Sequence, residues 1–190
     1  MRRFFFACVV LLPAASLGGC ATTQTPQAPT PAVAVGEMAA ARYFSLNGRI
    51  SVRVNDRVDS GQIRWRRSAE VERIGLYSPL GSQVAELVSD KRTRVVTLRQ
   101  GKETLEAASV AELAQSLLGV SLDLDRMAGW VQGSGLRENE IVEATLANGD
   151  VWHVTAERFQ RNGNYRFASR VIATSRDTVV RLVVDEWMPL

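Results

Sequence analysis

The chain predicts a mainly β fold: an antiparallel sheet, apolar on one face and wet on the other, split by a short helical insert. Three observations carry this. Segments before and after the middle of the chain alternate apolar and polar residues with a period of two. The links between those segments are short, which favours antiparallel neighbours over crossovers. Between the two groups the apolar spacing changes to that of a helix.

The elements follow in order. From Phe44, the residues Phe44, Leu46, Gly48, Ile50, Val52 and Val54 share one face, and Ser45, Asn47, Arg49, Ser51 and Arg53 share the other. Asn55-Asp56-Arg57 reads as a turn. Gln62 to Arg66 alternates again, with Ile63 and Trp65 inward. Arg73 to Tyr77 and Val84 to Val88 are two more strands, joined through Ser78-Pro79-Leu80-Gly81-Ser82. Arg94 to Gln100 is the next strand, and Gly101-Lys102 turns it. Ser109 is a helix cap, with Glu112 three residues later as a capping-box partner. Val110, Leu113, Leu117 and Leu118 recur at helical spacing, and Gly119 ends the helix. A second short helix covers Leu122 to Gln132, with Gly133 as its stop. Ile141 to Ala147 meets Val151 to Phe159 across Asn148-Gly149, a strong hairpin signal. There Trp152, Val154 and Ala156 face one way, and His153, Thr155 and Glu157 the other. Tyr165 to Thr174 and Thr178 to Trp187 complete the set. A sheet with one apolar face must cover it, and two short helices serve as a lid or plug.

The amino terminus carries a different signal. Arg2 and Arg3 precede the apolar run Phe4 to Leu12, and small residues follow, as in a secretory signal peptide. The run is shorter than the roughly 20 residues a spanning helix needs. Leu17-Gly18-Gly19-Cys20 resembles the lipobox of bacterial lipoproteins. That resemblance implies cleavage before Cys20 and lipid attachment to it, so the mature chain is anchored and does not span. Ala21 to Val35 is rich in Thr, Gln, Pro and Ala, carries no charge and reads as a tether. The expected division is a leader at 1–19, a lipidated cysteine with its tether at 20–42, and a folded domain at 43–190. Ala21 stands where an Asp resembles an inner-membrane retention signal, so the outer membrane is implied.

The bulk numbers exclude several classes. Of 23 Lys and Arg, the leader removes Arg2 and Arg3, so 21 face 20 Asp and Glu, a net of +1. A nearly neutral chain with interspersed signs is not a nucleic-acid footprint. The two cysteines are Cys8 in the leader and Cys20, so no disulfide is expected. The one histidine, His153, speaks against most triad and zinc chemistry. No cofactor, metal or catalytic residue is expected.

Single motifs have bland alternatives. Leu80, between Pro79 and Gly81, sits at a tight turn where a side chain points outward, yet exposed leucines are common. Trp65, Trp130, Trp152 and Trp187 suit either a ligand cavity or a core, and core is the simpler reading. Asp123 and Asp125 at the second helix fit capping and dipole complementarity better than acid–base work or a metal. Arg64, Arg66 and Arg67 form a basic cluster beside Trp65, ordinarily a solvated strand face. His153 reads as a solvated strand residue.

Taken together, the segments resemble the LolB family of outer-membrane lipoprotein receptors. The matching stretches are Phe44 to Ile50, Gly61 to Trp65 and Leu76 to Gly81. Later come Leu122 to Asp125, Trp130 to Gly133, Asn148-Gly149 with Trp152, and Val183 to Trp187. Their order and spacing cover residues 43 to 188. The resemblance implies an incomplete, unclosed antiparallel β-barrel with a short α-helical lid covering a hydrophobic cavity. It implies that the cavity takes lipoprotein acyl chains from the periplasmic carrier LolA and that the receptor inserts them into outer-membrane lipid. It implies no enzyme activity and no ATP. The family's protruding apolar residue falls on Leu80, in the loop of Pro79, Leu80 and Gly81. Candidate lining residues are Ile50, Val52, Ile63, Trp65, Leu76, Met127, Trp130, Trp152 and Val154. A monomer is expected. The alternatives are a soluble carrier of the LolA type, against which Cys20 and the tether argue, and a structural or scaffolding outer-membrane lipoprotein with a filled core.

Overall fold

A computed structural model describes residues 40–190. The expected leader, Cys20 and the tether as far as residue 39 lie outside the described residues. Ten strands and two helices follow: β1 (Phe44–Val54), β2 (Arg57–Arg67), β3 (Val71–Tyr77), β4 (Gln83–Asp90), β5 (Val95–Gln100), β6 (Glu103–Ala107), α1 (Val110–Leu118), α2 (Leu124–Val131), β7 (Ile141–Thr145), β8 (Val151–Asn162), β9 (Tyr165–Ser175) and β10 (Thr178–Pro189).

The strands make one ten-stranded sheet in the order β6-β5-β4-β3-β2-β1-β10-β9-β8-β7. Every neighbouring pair is antiparallel. Each is a hairpin except β1 with β10, which joins the two ends of the folded chain at the centre of the sheet. β6 and β7 are the outer strands and do not pair, so the barrel is unclosed, as expected. The chain between them holds the two helices, with α1 against β6 and α2 against β9 and β8.

Local chemistry explains the elements. Asn55, with φ 52°, closes the two-residue turn between β1 and β2. The β1–β10 register slips between Asn47 and Gly48. A Cβ at Gly48 would lie 2.2 Å from the Val183 carbonyl oxygen, so only glycine admits this close approach. Ser109 caps α1 through its hydroxyl, which accepts from the Glu112 N–H at 3.1 Å. Gly119, with φ 72°, ends that helix.

Four expectations are corrected. β2 starts at Arg57, inside the expected turn and five residues before Gln62, because Arg57 already pairs with Val54. The second helix starts at Leu124, not Leu122, because Asp123 is its cap and accepts from the Asp125 and Arg126 N–H groups at 2.8 and 3.1 Å. β7 stops at Thr145, two residues early, because Leu146 to Asp150 already forms the turn: the Leu146 N–H donates to the Asp150 carbonyl at 2.8 Å. β6 is a strand where none is expected. Its sequence, Glu103-Thr104-Leu105-Glu106-Ala107, offers little apolar alternation.

The core lies between the sheet and α2, built mainly from β1, β2 and β8 to β10. All four tryptophans are buried in it. Phe44 meets Trp65 edge-on at 5.2 Å between centroids, and Phe167 stacks on Trp187 at 5.7 Å. Such pairs contribute about 0.5–1.5 kcal/mol beyond the area they bury.

Candidate functional site

Strand register sets one apolar row across half of the sheet. Leu46 pairs with Trp65, Trp65 with Ile74, Ile74 with Leu87, Leu87 with Leu98, and Leu98 with Leu105. Paired residues share a face, so the row runs from β1 to the edge strand β6. Five steps of about 4.8 Å make it about 24 Å long. Burial falls along it. Leu46 and Trp65 are 1% exposed and Leu105 is 43% exposed, with Ile74, Leu87 and Leu98 half-buried between them. The sequence singles out Trp65 but not Ile74, Leu87, Leu98 or Leu105. The signal for the first three of these is the alternation itself. For Leu105 it is hidden in a strand with little apolar pattern.

The nine expected lining residues fall in one apolar assembly. Ile63, Trp65, Trp130, Trp152 and Val154 are buried, and Ile50, Val52, Leu76 and Met127 are half-buried against them. Met127, Trp130 and Trp152 also border a small apolar cavity beneath α2, of about 20 Å³, together with Leu122, Val131 and Val171. That holds about one water molecule, so the cavity as it stands is too small for a larger ligand. The other six candidates do not border it.

α2 is held at both ends. At its start, Asp125 pairs with Arg67, which also approaches Glu72 at 3.8 Å. Glu72 is buried and accepts from the Trp65 indole N–H at 2.8 Å. At its end, the buried Gln132 side chain accepts from the Ala41 N–H and donates to the Ala41 and Ala128 carbonyls at 3.2 and 3.3 Å. The chain thus enters the domain bonded to the end of the lid. Gly133, with φ 70°, follows. A Cβ there would lie 2.4 Å from the Phe159 ring.

The link between the helices is tied to the β7–β8 turn. The Ser121 N–H donates to the buried Asp150 carboxylate at 2.9 Å, and the Asn148 amide donates to the same oxygen at 2.8 Å. The Trp152 indole N–H donates to the Ser121 carbonyl at 3.2 Å. The Ser121 N–H above all, then the Asn148 amide, holds Asp150 below the ordinary aspartate range against the effect of burial, with the Arg176 guanidinium adding to them.

The β3–β4 hairpin carries the expected loop. The Gly81 N–H donates to the Ser78 carbonyl at 2.9 Å, and the Ser78 N–H to the Ser82 carbonyl at 2.8 Å. Pro79 and Gly81 fill the second and fourth turn positions, where their backbone preferences fit. Leu80 stands between them, 95% exposed. Pro79 and Gly81 are exposed too. No helix among the described residues is long and apolar enough to cross a membrane.

The sequence matches the family described as outer membrane lipoprotein LolB over residues 42–187. The chain belongs to the LolB family. An outer-membrane lipoprotein LolB of Thiobacillus denitrificans is 30% identical over 98% of this chain and 98% of its own length. One from an Azoarcus species is 28% identical over 97% of this chain and 96% of its own. Among solved structures, a LolA superfamily protein from Nitrosomonas europaea covers 80% of this chain and 88% of its own at 9% identity, with a TM-score of 0.46. The LolB match takes in nine strands whole, β10 as far as Trp187, both helices and the Leu80 hairpin.

Proposed function

We propose that this LolB-family chain receives lipoproteins from the periplasmic carrier LolA by their acyl chains and passes them to the outer membrane. Cys20 anchors it by lipid to the periplasmic face. The observation that carries this reading is the apolar row from Trp65 to Leu105. It exceeds the roughly 15 Å half-thickness that acyl chains fill in a bilayer, and its outer end is left half-uncovered. An acyl chain laid on it gains about 0.8 kcal/mol per buried methylene. Of the nine lining candidates, Met127 and Trp130 on α2 and Trp152 opposite them border the cavity beneath that helix, and displacement of α2 opens it to the acyl chain. Leu80, at the tip of its hairpin, is the element that meets membrane lipid during release. The direction of transfer follows the order of affinities among donor, receptor and membrane.

The test is transfer of a radiolabelled lipoprotein from purified LolA to the chain from Ala21 onward, which keeps every described element. One-way movement of label is expected. A folded chain that takes up no label overturns the receptor reading in favour of a structural lipoprotein. Cys20→Ala is expected to release the protein from membranes, and its firm retention there would contradict the anchor.

A further inference from the structure

The outer face of the sheet, opposite the helices, is basic beside the Leu80 hairpin. Register places Asn47, Arg64, Gly75 and Glu86 in one row across β1 to β4, and Ser45, Arg66 and Arg73 in the next. Gly75 has no side chain, so the sheet is recessed there by about 130 Å³, bordered by Arg64, Arg66, Arg73 and Tyr77 and by the carboxylate of Glu86. A Cβ at Gly75 would press on the Tyr77 ring at 2.9 Å. Glu86 lies 3.6 Å from both Arg73 and Arg99 and offsets part of their charge. Glu186 accepts from the Asn47 amide at 3.0 Å, and Asp185 pairs with Arg49 at 2.8 Å. Among the described residues neither Arg64 nor Arg66 pairs with a carboxylate. The Arg64 guanidinium instead lies over the Tyr77 ring, 4.4 Å from its centroid. That contact fixes an otherwise flexible cation at the base of the hairpin whose tip is Leu80.

Depth along the strand gives this cation its meaning. Gly75 and Arg73, which pair with Arg64 and Arg66, are five and seven residues before Leu80, about 16 and 23 Å back from the tip at about 3.3 Å per residue. The headgroup layer of a bilayer is about 5–7 Å thick on each side. A hairpin inclined at about 60° to the membrane normal, with its basic face toward the bilayer and Leu80 inside the hydrocarbon, halves these depths to about 8–12 Å and brings the arginine side chains within reach of the phosphates. We propose that the recess of Arg64, Arg66, Arg73 and Tyr77 is a binding site for the phosphate of a membrane phospholipid, the polar half of a two-part contact whose apolar half is Leu80. It rests on the reading of Leu80 as the membrane-facing tip. Arginine suits the task because its planar fork meets phosphate oxygens in pairs and stays charged.

The test is flotation of the chain from Ala21 onward with vesicles of phosphatidylcholine alone and of phosphatidylcholine with phosphatidylglycerol. All described strands, helices and core residues are retained in that chain. Arg64→Gln with Arg66→Gln is expected to weaken binding to the anionic vesicles about 30-fold, from about 1 kcal/mol per arginine at such a surface. Both positions are exposed, so the thermal midpoint should hold. Arg92→Gln with Arg94→Gln removes the same charge at the far end of β4 and should weaken binding much less. If both pairs weaken it equally, the effect is general charge and the recess falls. If the Arg64 and Arg66 pair binds as wild type while Leu80→Glu does not bind, the recess falls and the tip stands. If Leu80→Glu binds as wild type, the tip reading falls, and the depth argument with it.

Discussion

Gly133 is where a single residue constrains the lid most directly. Its φ is 70°, and a Cβ there would stand 2.4 Å from the Phe159 ring, so any side chain meets both a backbone penalty and a clash. Gly133→Ala is expected to cost about 2 kcal/mol or more in denaturant unfolding. Asp150 acts through charge. Its lowered pKa means that its stabilisation is complete above the ordinary value of 3.8 and is lost as pH falls through the lower folded value. Asp150→Asn is expected to lose about 1–3 kcal/mol at neutral pH, with the deficit constant above about pH 5 and closing in stronger acid. A deficit that closes on raising the pH would refute this. Leu80→Glu touches no core contact, so fold and acyl uptake should survive while release into membrane fails; normal incorporation by the folded variant would remove Leu80 from the mechanism. At this scale the sequence is informative wherever a residue acts on its own stretch of backbone: Pro79, Gly81 and Gly119 through their backbone preferences, and Asp123 through a carboxylate that accepts from the next turn, are all legible as turns or caps. Asp150 is not, because its partners Ser121 and Arg176 are brought to it only by the fold.

Among the elements, α2 has unequal ends. Asp125 is an exposed partner in its ion pair, with its side chain 80% accessible, so Asp125→Asn is expected to change stability by about 1 kcal/mol or less. Gln132→Ala strands the buried N–H and carbonyl of Ala41 and is expected to cost about 1–3 kcal/mol. The lid therefore loosens at Asp125 first and turns about Gln132 and Gly133. Hydrogen exchange checks the order: Asp125→Asn should speed exchange at Met127 more than at Gln132, and the reverse order would rule out this hinge. The strands most legible in the sequence, β1, β8, β9 and β10, are those whose inward face is packed, because packing selects strict alternation. β6 and the start of β2 are hard to read for the complementary reason. Glu103, Glu106, Arg57 and Asp59 lie where one or both faces stay wet, and nothing selects an apolar residue there. The edge that leaves the apolar row half-open is thus the part hardest to read from sequence.

Across the whole molecule, the same gradient of cover predicts a gradient of stability. The half made of β1, β2 and β8 to β10 closes on α2 and contains the aromatic core. The half made of β3 to β6 is bounded by α1 and ends in Leu105, with Leu117 on α1 also 50% exposed. Segments with few buried apolar contacts open at lower free energy than the core. Amides of β5 and β6 are therefore expected to exchange well before those of β1, β9 and β10, with no common global rate. The two functional readings then part on the effect of an acyl ligand. A receptor that lays the chain along Trp65, Ile74, Leu87, Leu98 and Leu105 gains most contact at the open end, so a bound fatty acyl chain should slow exchange in β5 and β6 and leave β9 and β10 nearly unchanged. A structural lipoprotein with a filled core has no reason to bind the acyl chain, and its exchange pattern should not respond. Leu98→Ala sharpens the comparison. Half-buried and near the edge, it should cost less than the roughly 2–5 kcal/mol of a full core truncation such as Leu46→Ala, yet it should abolish much of the protection that the acyl chain confers on β5 and β6. If Leu98→Ala leaves that protection intact while the fold holds, the acyl chain does not follow the row.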